Sequence, residues 1–399
     1  MNLSRRDLAR AATAAAFLPL LSHWGFAGDW TATEAEAKGQ TVYFNAWAGS
    51  AAVNRYIAWA AVQLKSRFAV TLEHVKISDA AEVVRRVRDE VKTGKSDGSV
   101  DLVWINGENF RTMKTEQLLF GPFAGELPNF KYVDTEGKPT TLNDFAEPTE
   151  GLESPWGMAQ LTFFGDGAKI PLPPGSMTEL VAFAKINPGR VTYPAPPDFH
   201  GTTFVKQALI ESLDDRSMLA LPVDKTDFAR ATAPLFALLA RLHPHLWRQG
   251  RQFPQSQAQL KQMLADGELL MALTFNPNEP ANLVASGELP ESTIAWQHRE
   301  GTIGNTHFVA IPVNSKATAA AQVTANFLLS PEAQGRKADL KVWGDPTVLA
   351  PGKLPPEEAK FLAAGSVPGG VAEPAPALPE PHGSWVPRIE KAWLETFAT

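Results

Sequence analysis

Short apolar runs alternate with longer segments of helical periodicity from residue 40 onward. The alternation begins with an apolar run over Gln40 to Ala46, which predicts a strand, and an apolar-periodic stretch over Ala51 to Phe68, which predicts a helix. It continues with a strand, a helix and a third strand over Val70 to Val75, Ala80 to Thr93 and Val100 to Ile105. Because helices separate the strands, the pattern predicts an α/β fold with parallel strands.

Further elements follow in the second half of the chain. Three more strands are predicted over Gly157 to Phe164, Leu269 to Phe275 and His307 to Pro312. Two more helices are predicted over Gln257 to Ala265 and Thr318 to Leu329. The proline- and glycine-rich segment from Pro351 to His382 predicts an extended wrap over the surface, with a final helix after Pro387.

Composition narrows the classes of function. A length of 399 residues with 44% hydrophobic content favours two or more domains over one. The net charge of -6 and a pI near 5.8 provide no basic surface for nucleic acid. The chain has no cysteine, which excludes disulfides, thiolate metal sites and a cysteine nucleophile.

Residues 1–27 are predicted to be a signal peptide of the twin-arginine kind. Arg5 and Arg6 lie in a charged segment, and the apolar run from Ala11 to Leu21 is too short to anchor the chain in a bilayer. Small residues allow cleavage after Ala27. The alternative is an amphipathic first helix, but alanines without periodic charge argue against it. The sequence therefore predicts export to the periplasm, with residues 28–39 as a linker.

Three predicted strands end in loops rich in asparagine, near glycine or proline. Ligands of open parallel sheets bind at the carboxyl ends of strands, where helix starts present free backbone N–H groups. The candidate ligand contacts in these loops are Asn45, Trp47, Ser50, Asn106, Glu108, Asn109, Asn276, Asn278 and Glu279. An Asx turn or a helix cap is the alternative for any single loop. The recurrence at three strand ends favours a binding site.

Aromatic residues near these loops have two interpretations each. Trp104 lies inside a predicted strand and is expected to be buried, whereas Trp47 lies in a loop and is the better stacking platform. Trp156, between Pro155 and Gly157, belongs either to a simple turn or to a hinge with an aromatic wall.

Two stretches carry a family resemblance. The segment from Ile303 to Arg336 resembles the late region of type II periplasmic solute-binding proteins of ABC transporters. In that region of the family, a strand ending in Ile-Pro-Xaa-Asn-Ser precedes a helix and a Leu-Leu-Ser-Pro-Glu-Ala-Gln turn. Gly107 to Asn129, together with Phe275 to Asn282, resembles more closely the YnjB-type proteins, a branch near the thiamine, iron and polyamine binders. The resemblance covers nearly all of the chain after the signal peptide.

This resemblance implies a two-lobed periplasmic binding protein-like II fold. Each lobe is expected to be a mostly parallel sheet flanked by helices, with the ligand cleft between the lobes. Lobe 1 is expected over residues 40–155 and again over 276–320, and lobe 2 over 156–275. Residues 321–399 are expected to form C-terminal helices and a tail that pack on lobe 2. The residues of the second lobe expected to close the cleft are Trp156, Gln160, Tyr193, His200 and Thr202.

The implied function is that of the solute-binding component of an ABC importer, a monomer that delivers a small molecule to the transmembrane permease subunits. The sequence contains no catalytic motif of the common hydrolases, no phosphate-binding loop and no dinucleotide-binding motif. No enzyme activity and no cofactor are therefore predicted. His243 and His245 lack a third close ligand in the sequence, which argues against a metal site. An exported carboxylate-dependent hydrolase on a similar fold is the alternative, because paired carboxylates are invisible without the fold geometry.

The loop chemistry narrows the solute. The ferric-ion binders of this superfamily use neighbouring tyrosines, and the four tyrosines here are scattered without an adjacent pair. Glu108, Asp198 and Glu279 beside aromatic rings suit a cation or a nitrogen heterocycle. Asparagine amides and helix starts would suit an oxyanion instead. We predict a cationic or heterocyclic organic solute.

Overall fold

The structure is a computed structural model that describes residues 30–362, 369–371 and 375–398. The predicted signal peptide lies outside these residues. The strands are β1 Thr41–Trp47, β2 Thr71–Ile77, β3 Leu102–Ile105, β4 Asn143–Asp144, β5 Glu147–Pro148, β6 Glu153–Gln160, β7 Thr162–Asp166, β8 Met271–Thr274, β9 Thr293–Trp296, β10 Thr302–Ala310 and β11 Ala377–Leu378. The helices are α1 Trp30–Ala37, α2 Ala51–Phe68, α3 Ala80–Lys92, α4 Glu108–Thr115, α5 Met177–Ile186, α6 Phe199–Glu211, α7 Phe228–Leu242, α8 Gln257–Ala265, α9 Glu279–Ala285, α10 Thr318–Leu328, α11 Pro331–Ala338, α12 Pro356–Ala359 and α13 Trp385–Phe397.

The first lobe is built on a mixed sheet with the order β11-β10-β3-β1-β2, and β6 also pairs with β10. β1 is parallel to both β2 and β3. α2 covers this sheet with one apolar face, because Val53, Ile57, Ala60 and Leu64 recur at helical spacing and are buried. Packing of this face against β1 explains why α2 keeps the predicted bounds.

The second lobe is built on a smaller sheet in which β7 lies between β8 and β9. Both neighbours run antiparallel to β7. The predicted two-lobed α/β fold is thus confirmed. The prediction of a mostly parallel sheet in each lobe is wrong for the second lobe, whose three strands are antiparallel. More than a hundred residues and several helices separate β7 from β8, so the connection between them does not impose a strand direction.

Two long strands cross between the lobes. β6 leaves the first lobe and continues into β7 after the single residue Leu161, and β10 runs back alongside it in antiparallel pairing. The register shifts between His307 and Phe308, opposite Gly157 and Pro155, so Trp156 forms a bulge on β6. The expected hinge segment around Trp156 therefore lies within a paired strand.

The structure corrects three of the predicted boundaries. Most of the predicted linker 28–39 is α1, which packs against α10 and buries Ala37. The second lobe extends to β9, so the return to the first lobe begins at β10 and not at residue 276. The described residues between 321 and 398 are divided between the lobes. α10 and α11 join the core of the first lobe, because α10 is lined with small apolar residues that pack closely, and α13 joins the second.

Within the described residues, no helix combines the length and the apolar content needed to cross a membrane.

Candidate functional site

The cleft between the lobes is bordered by helix starts of the first lobe and by two helices of the second. On the first lobe, α3 begins after Asp79 and α4 begins at Glu108, both directly after strands of the parallel part of the sheet. Gly107 adopts a positive φ of 60° between β3 and α4, a conformation that glycine tolerates best. Lys206 on α6 and Glu390 on α13, both of the second lobe, lie close enough to Glu108 to act on its carboxyl.

Glu108 is an acidic residue at the first position of α4. Burial raises the pKa of its carboxyl to about 7, although the charge of Lys206 on α6 opposes this rise. Asp79 and Glu390, from the two different lobes, also act on this carboxyl and favour its protonated form. Carboxylates from both lobes therefore converge near the start of α4.

Glu390 on α13 belongs to the same group of acids. The hydroxyl of Thr202 donates a hydrogen bond of 2.7 Å to its Oε1, so one predicted ligand contact positions another acidic side chain. Burial raises the pKa of Glu390 above its ordinary value.

Lys206 and Glu380 form a buried ion pair in this cleft. The ammonium Nζ of Lys206 lies 2.6 Å from Oε2 of Glu380, and the two side chains are 1% and 2% exposed. The Nδ2 of Asn305 on β10 donates to the other carboxylate oxygen at 3.2 Å. The ammonium also lies 4.3 Å from the centre of the Phe145 ring, which gives a cation–π contact.

Glu380 belongs to residues 375–384, which we call the C-terminal strap. Residues 380–383 of the strap are buried between the lobes. The backbone N–H of Gly383 donates to the carbonyl of Phe145, and Gly383 packs against the backbone of Glu108. A cavity of about 220 Å³ lies between the strap, Asn305 and the hairpin turn that carries Phe145.

The predicted loop after β1 lies at the rim of the first lobe. Asn45 is fully buried and accepts a hydrogen bond of 3.3 Å from Arg86. Trp47 is partly buried and packs edge-on against Trp104, with 6.4 Å between ring centres. Ser50 precedes α2 but makes no side-chain capping bond. In the loop after β3, Asn106 precedes Gly107, and the amide of Asn109 donates to Glu108 at 3.5 Å.

Two predicted residues of the second lobe, His200 and Thr202, lie in the first turn of α6. Asp198 caps this helix by accepting from the N–H groups of His200 and Gly201. His200 lies 3.8 Å from Asp198, and burial lowers the pKa of its imidazole.

Glu279 at the start of α9 forms an ion pair with Lys261 at 2.5 Å and also accepts a hydrogen bond from Gln257, so its charge is already neutralised.

The asparagines that follow β8 hold a loop of the other lobe. Asn276 donates to the carbonyl of Trp343 at 3.1 Å, and Asn278 donates to that of Gly344 at 2.6 Å. Asn282 also donates to the carbonyl of Trp343, at 2.6 Å. These amides connect the lobes directly.

Two predicted contacts, Trp156 and Tyr193, are enclosed in the cores of the lobes. Trp156 is fully buried among Phe44, Trp104 and Trp343 in the first lobe. Tyr193 is fully buried in the second lobe, where its hydroxyl hydrogen-bonds with His243 and accepts from Trp393.

Gln160 donates its amide to Thr302 and to two strap carbonyls, so it fastens the strap to the crossing strands. The bulge at Trp156 interrupts the alternation of side chains along β6, which is why sequence alone left its burial open.

Sequence reasoning missed Lys206, Glu380, Glu390 and Phe145. Lys206 offered one signal, since it is a single lysine within a run of buried residues along α6. Lysines in such runs require a partner charge. Glu380 offered none, because its partner is 174 residues away in the chain.

The fold and the cleft define a solute-binding protein of the periplasmic binding protein-like II class. Residues 59–350 match the model of the bacterial extracellular solute-binding protein family, and the chain belongs to this family. Protein YnjB of Escherichia coli (strain K12) is 49% identical over 383 residues, which cover 96% of this chain and 97% of that protein.

Solved structures show the same fold at low sequence identity. The periplasmic binding protein AfuA from Actinobacillus pleuropneumoniae, with fructose-6-phosphate bound, has a TM-score of 0.61 at 14% identity and covers 90% of this chain and 98% of its own. The spermidine/putrescine substrate-binding protein PotD from Streptococcus pneumoniae has a TM-score of 0.60 at 14% identity and covers 89% and 98%.

The chain is therefore a bacterial extracellular solute-binding protein. The proteins of this family are extracellular. The family is one of solute-binding proteins, which gives the hydrolase alternative no support.

Proposed function

We propose that the solute is a small organic cation or a protonated nitrogen heterocycle held between the start of α4 and the helices α6 and α13. The observation that carries this proposal is the convergence of Asp79 and Glu108 from one lobe with Glu390 from the other. The buried lysine of the cleft, Lys206, is already paired with Glu380. A cation between the lobes would relieve the repulsion among the remaining carboxylates and favour closure.

An oxyanion fits this cleft less well. Helix starts attract anions only while their N–H groups lack partners. Asp79 accepts from the N–H of Ala81 at 2.8 Å, and Asp198 accepts from two N–H groups of α6 at 2.9 and 3.1 Å. The starts of α3 and α6 are thus occupied by side chains of the protein itself. The start of α4 has no side-chain cap, but it carries the acidic side chain of Glu108.

The remaining predicted residues are assigned to the rim of this site. Trp47 supplies an aromatic face at the end of β1, and Ser50, Asn106 and Asn109 supply hydrogen-bonding groups beside it. Thr202 acts by positioning Glu390.

The first experiment identifies the solute and tests its charge. Mass spectrometry of the denatured native protein reveals what co-purifies, and thermal shifts with amines, thiamine and anionic sugars of similar size rank the classes. Cationic compounds are expected to stabilise the wild type, and Glu108→Gln is expected to reduce that stabilisation. Glu126→Gln, at an exposed site, is the matched control. Stabilisation by anions alone would contradict the proposal.

Two further features complete the proposal. Export removes the segment up to about Ala27, and intact mass of the protein from its native host tests this. The protein acts as a monomer, which light scattering of the purified protein tests; a stable dimer at micromolar concentration would refute it.

A further inference from the structure

The C-terminal strap enters the cleft from the crossing strands. Its strand β11 pairs with β10 at Thr302 and Ile303, directly beside the point where β10 leaves the second lobe. Beyond Pro379 the strap turns inward, and residues 380–383 are buried. A segment that follows the crossing strands and precedes α13 in sequence therefore forms one wall of the solute cleft.

The strap is held mainly by the second lobe. The N–H of His382 donates to the carbonyl of Leu219 at 2.7 Å, and the hydroxyl of Ser384 accepts from the N–H of Val223 at 2.9 Å. α13 follows at once and packs into the second core through Trp385. The strap is therefore expected to stay beside α6 when the lobes separate, and Glu380 stays beside Lys206.

Lys206 needs this partner. Its side chain is 1% exposed, and a buried ammonium without a counter-charge is strongly unfavourable. Phe145 and Phe199 lie near the ammonium, at 4.3 and 5.9 Å from their ring centres, and neither ring neutralises it. Glu380 and Lys206 together contribute no net charge, so Glu108 and Glu390 determine the charge that a solute meets.

We propose that Glu380, carried by the C-terminal strap, determines the charge selectivity of the solute cleft by neutralising Lys206. With Glu380 in place, the cleft accepts cations. Without its carboxylate, Lys206 presents an unpaired ammonium beside the cavity, and a carboxylate or phosphate group replaces Glu380. This inference rests on the location of the proposed solute site and adds the residue that selects the solute.

The test compares the wild type with Glu380→Gln and with the double variant Lys206→Met/Glu380→Gln, which keeps the shape of the pair without charge. Glu395→Gln, at an exposed site on α13, is the matched control. Thermal melts are recorded with sodium citrate, with spermidine, and with sodium chloride at equal ionic strength.

Glu380→Gln is expected to melt below the wild type and to gain at least about 2 °C more from citrate than the wild type gains. The double variant is expected to recover the melting temperature and to lose the citrate response. A citrate response of Glu380→Gln equal to those of the wild type and the control would overturn the proposal.

A second variant covers the case in which Glu380→Gln does not fold. Lys206→Met leaves Glu380 unpaired, so spermidine is expected to stabilise this variant more than it stabilises the wild type. An equal response to spermidine would overturn the proposal.

The same data separate this proposal from the assignment of a cationic solute. If citrate raises the melting temperature of Glu380→Gln more than that of the wild type, and amines do not bind the wild type, the role of Glu380 is supported and a cationic solute is contradicted. If amines bind the wild type, and citrate does not raise the melting temperature of the variant more than that of the wild type, the role of Glu380 is contradicted and the cationic solute is supported.

Discussion

The ammonium of Lys337 lies 2.5 Å from the carboxylate of Asp345, and both side chains are shielded from solvent. His307 on β10 approaches the other oxygen of Asp345 at 3.2 Å. The carboxylate fits against β6 only because Gly157 has no Cβ at that point. Since the preceding residues Trp343 and Gly344 accept the asparagine amides of the second lobe, this ion pair fixes a loop that both lobes share.

Replacing Asp345 by Asn is expected to lower the free energy of unfolding by about 3–5 kcal/mol, because Lys337 then keeps a buried charge without a counter-charge. Replacing both residues, as Lys337→Met/Asp345→Leu, is expected to recover most of the loss. Denaturant unfolding measures both. Asp97→Asn, at an exposed site, is the control. A double variant as unstable as the single one would show that packing, and not charge, dominates here.

The affinity for a cationic solute is expected to rise with pH through neutrality. Burial raises the pKa of Glu108 to about 7, so its carboxyl is mostly protonated at pH 6 and mostly ionised at pH 8. A cation prefers the ionised form, and the dissociation constant should fall about tenfold across this range. Burial lowers the pKa of His200, which disfavours the charged imidazole in this range. Isothermal titration of the wild type against Glu108→Gln checks this, and an equal slope in both would contradict it.

Glu153 is expected to make folding stability depend on pH. Neither carboxylate oxygen has a hydrogen-bond partner among the described residues, and burial, with the neighbouring charge of Asp144, raises the pKa well above its ordinary value. The unfolded chain ionises at the ordinary pKa while the folded one stays protonated, so stability falls as pH rises from that value to the folded pKa.

Glu153→Gln is expected to raise stability at neutral pH, because the amide has no proton whose loss the folded state opposes. Its stability should also depend less on pH than that of the wild type. Denaturant melts at several pH values measure this, with Glu126→Gln as the exposed control. Parallel pH curves for the variant and the wild type would contradict this role.

The first lobe could be predicted from sequence because its elements are local. α2 matches its predicted bounds, and β1 differs from its prediction by one residue at each end. The second lobe was harder, since one predicted strand over 157–164 is in fact parts of β6 and β7, which cross from one lobe to the other. Periodicity does not show where a strand passes between two cores.

The sequence named candidates on both sides of the proposed site, among them Glu108 directly after a strand end and Thr202 on α6. Lys206 and Glu380 meet through the C-terminal strap, and no local pattern reports a contact between residues so distant in sequence. Trp156 was misplaced because a bulge in β6 orients its ring into the core.

Trp47 is expected to contact the solute, and a comparison with Trp156 tests this. Trp47 is partly buried at the end of β1, whereas Trp156 is 0% exposed. Trp156→Ala should therefore cost about 3–5 kcal/mol of stability. Trp47→Ala should melt closer to the wild type but lose about 1–3 kcal/mol of binding free energy, the contribution of an aromatic face to a cation or a stacked ring. Thermal melts with and without the co-purifying solute measure both effects. If Trp47→Ala melts as low as Trp156→Ala and its folded fraction binds normally, Trp47 is a packing residue.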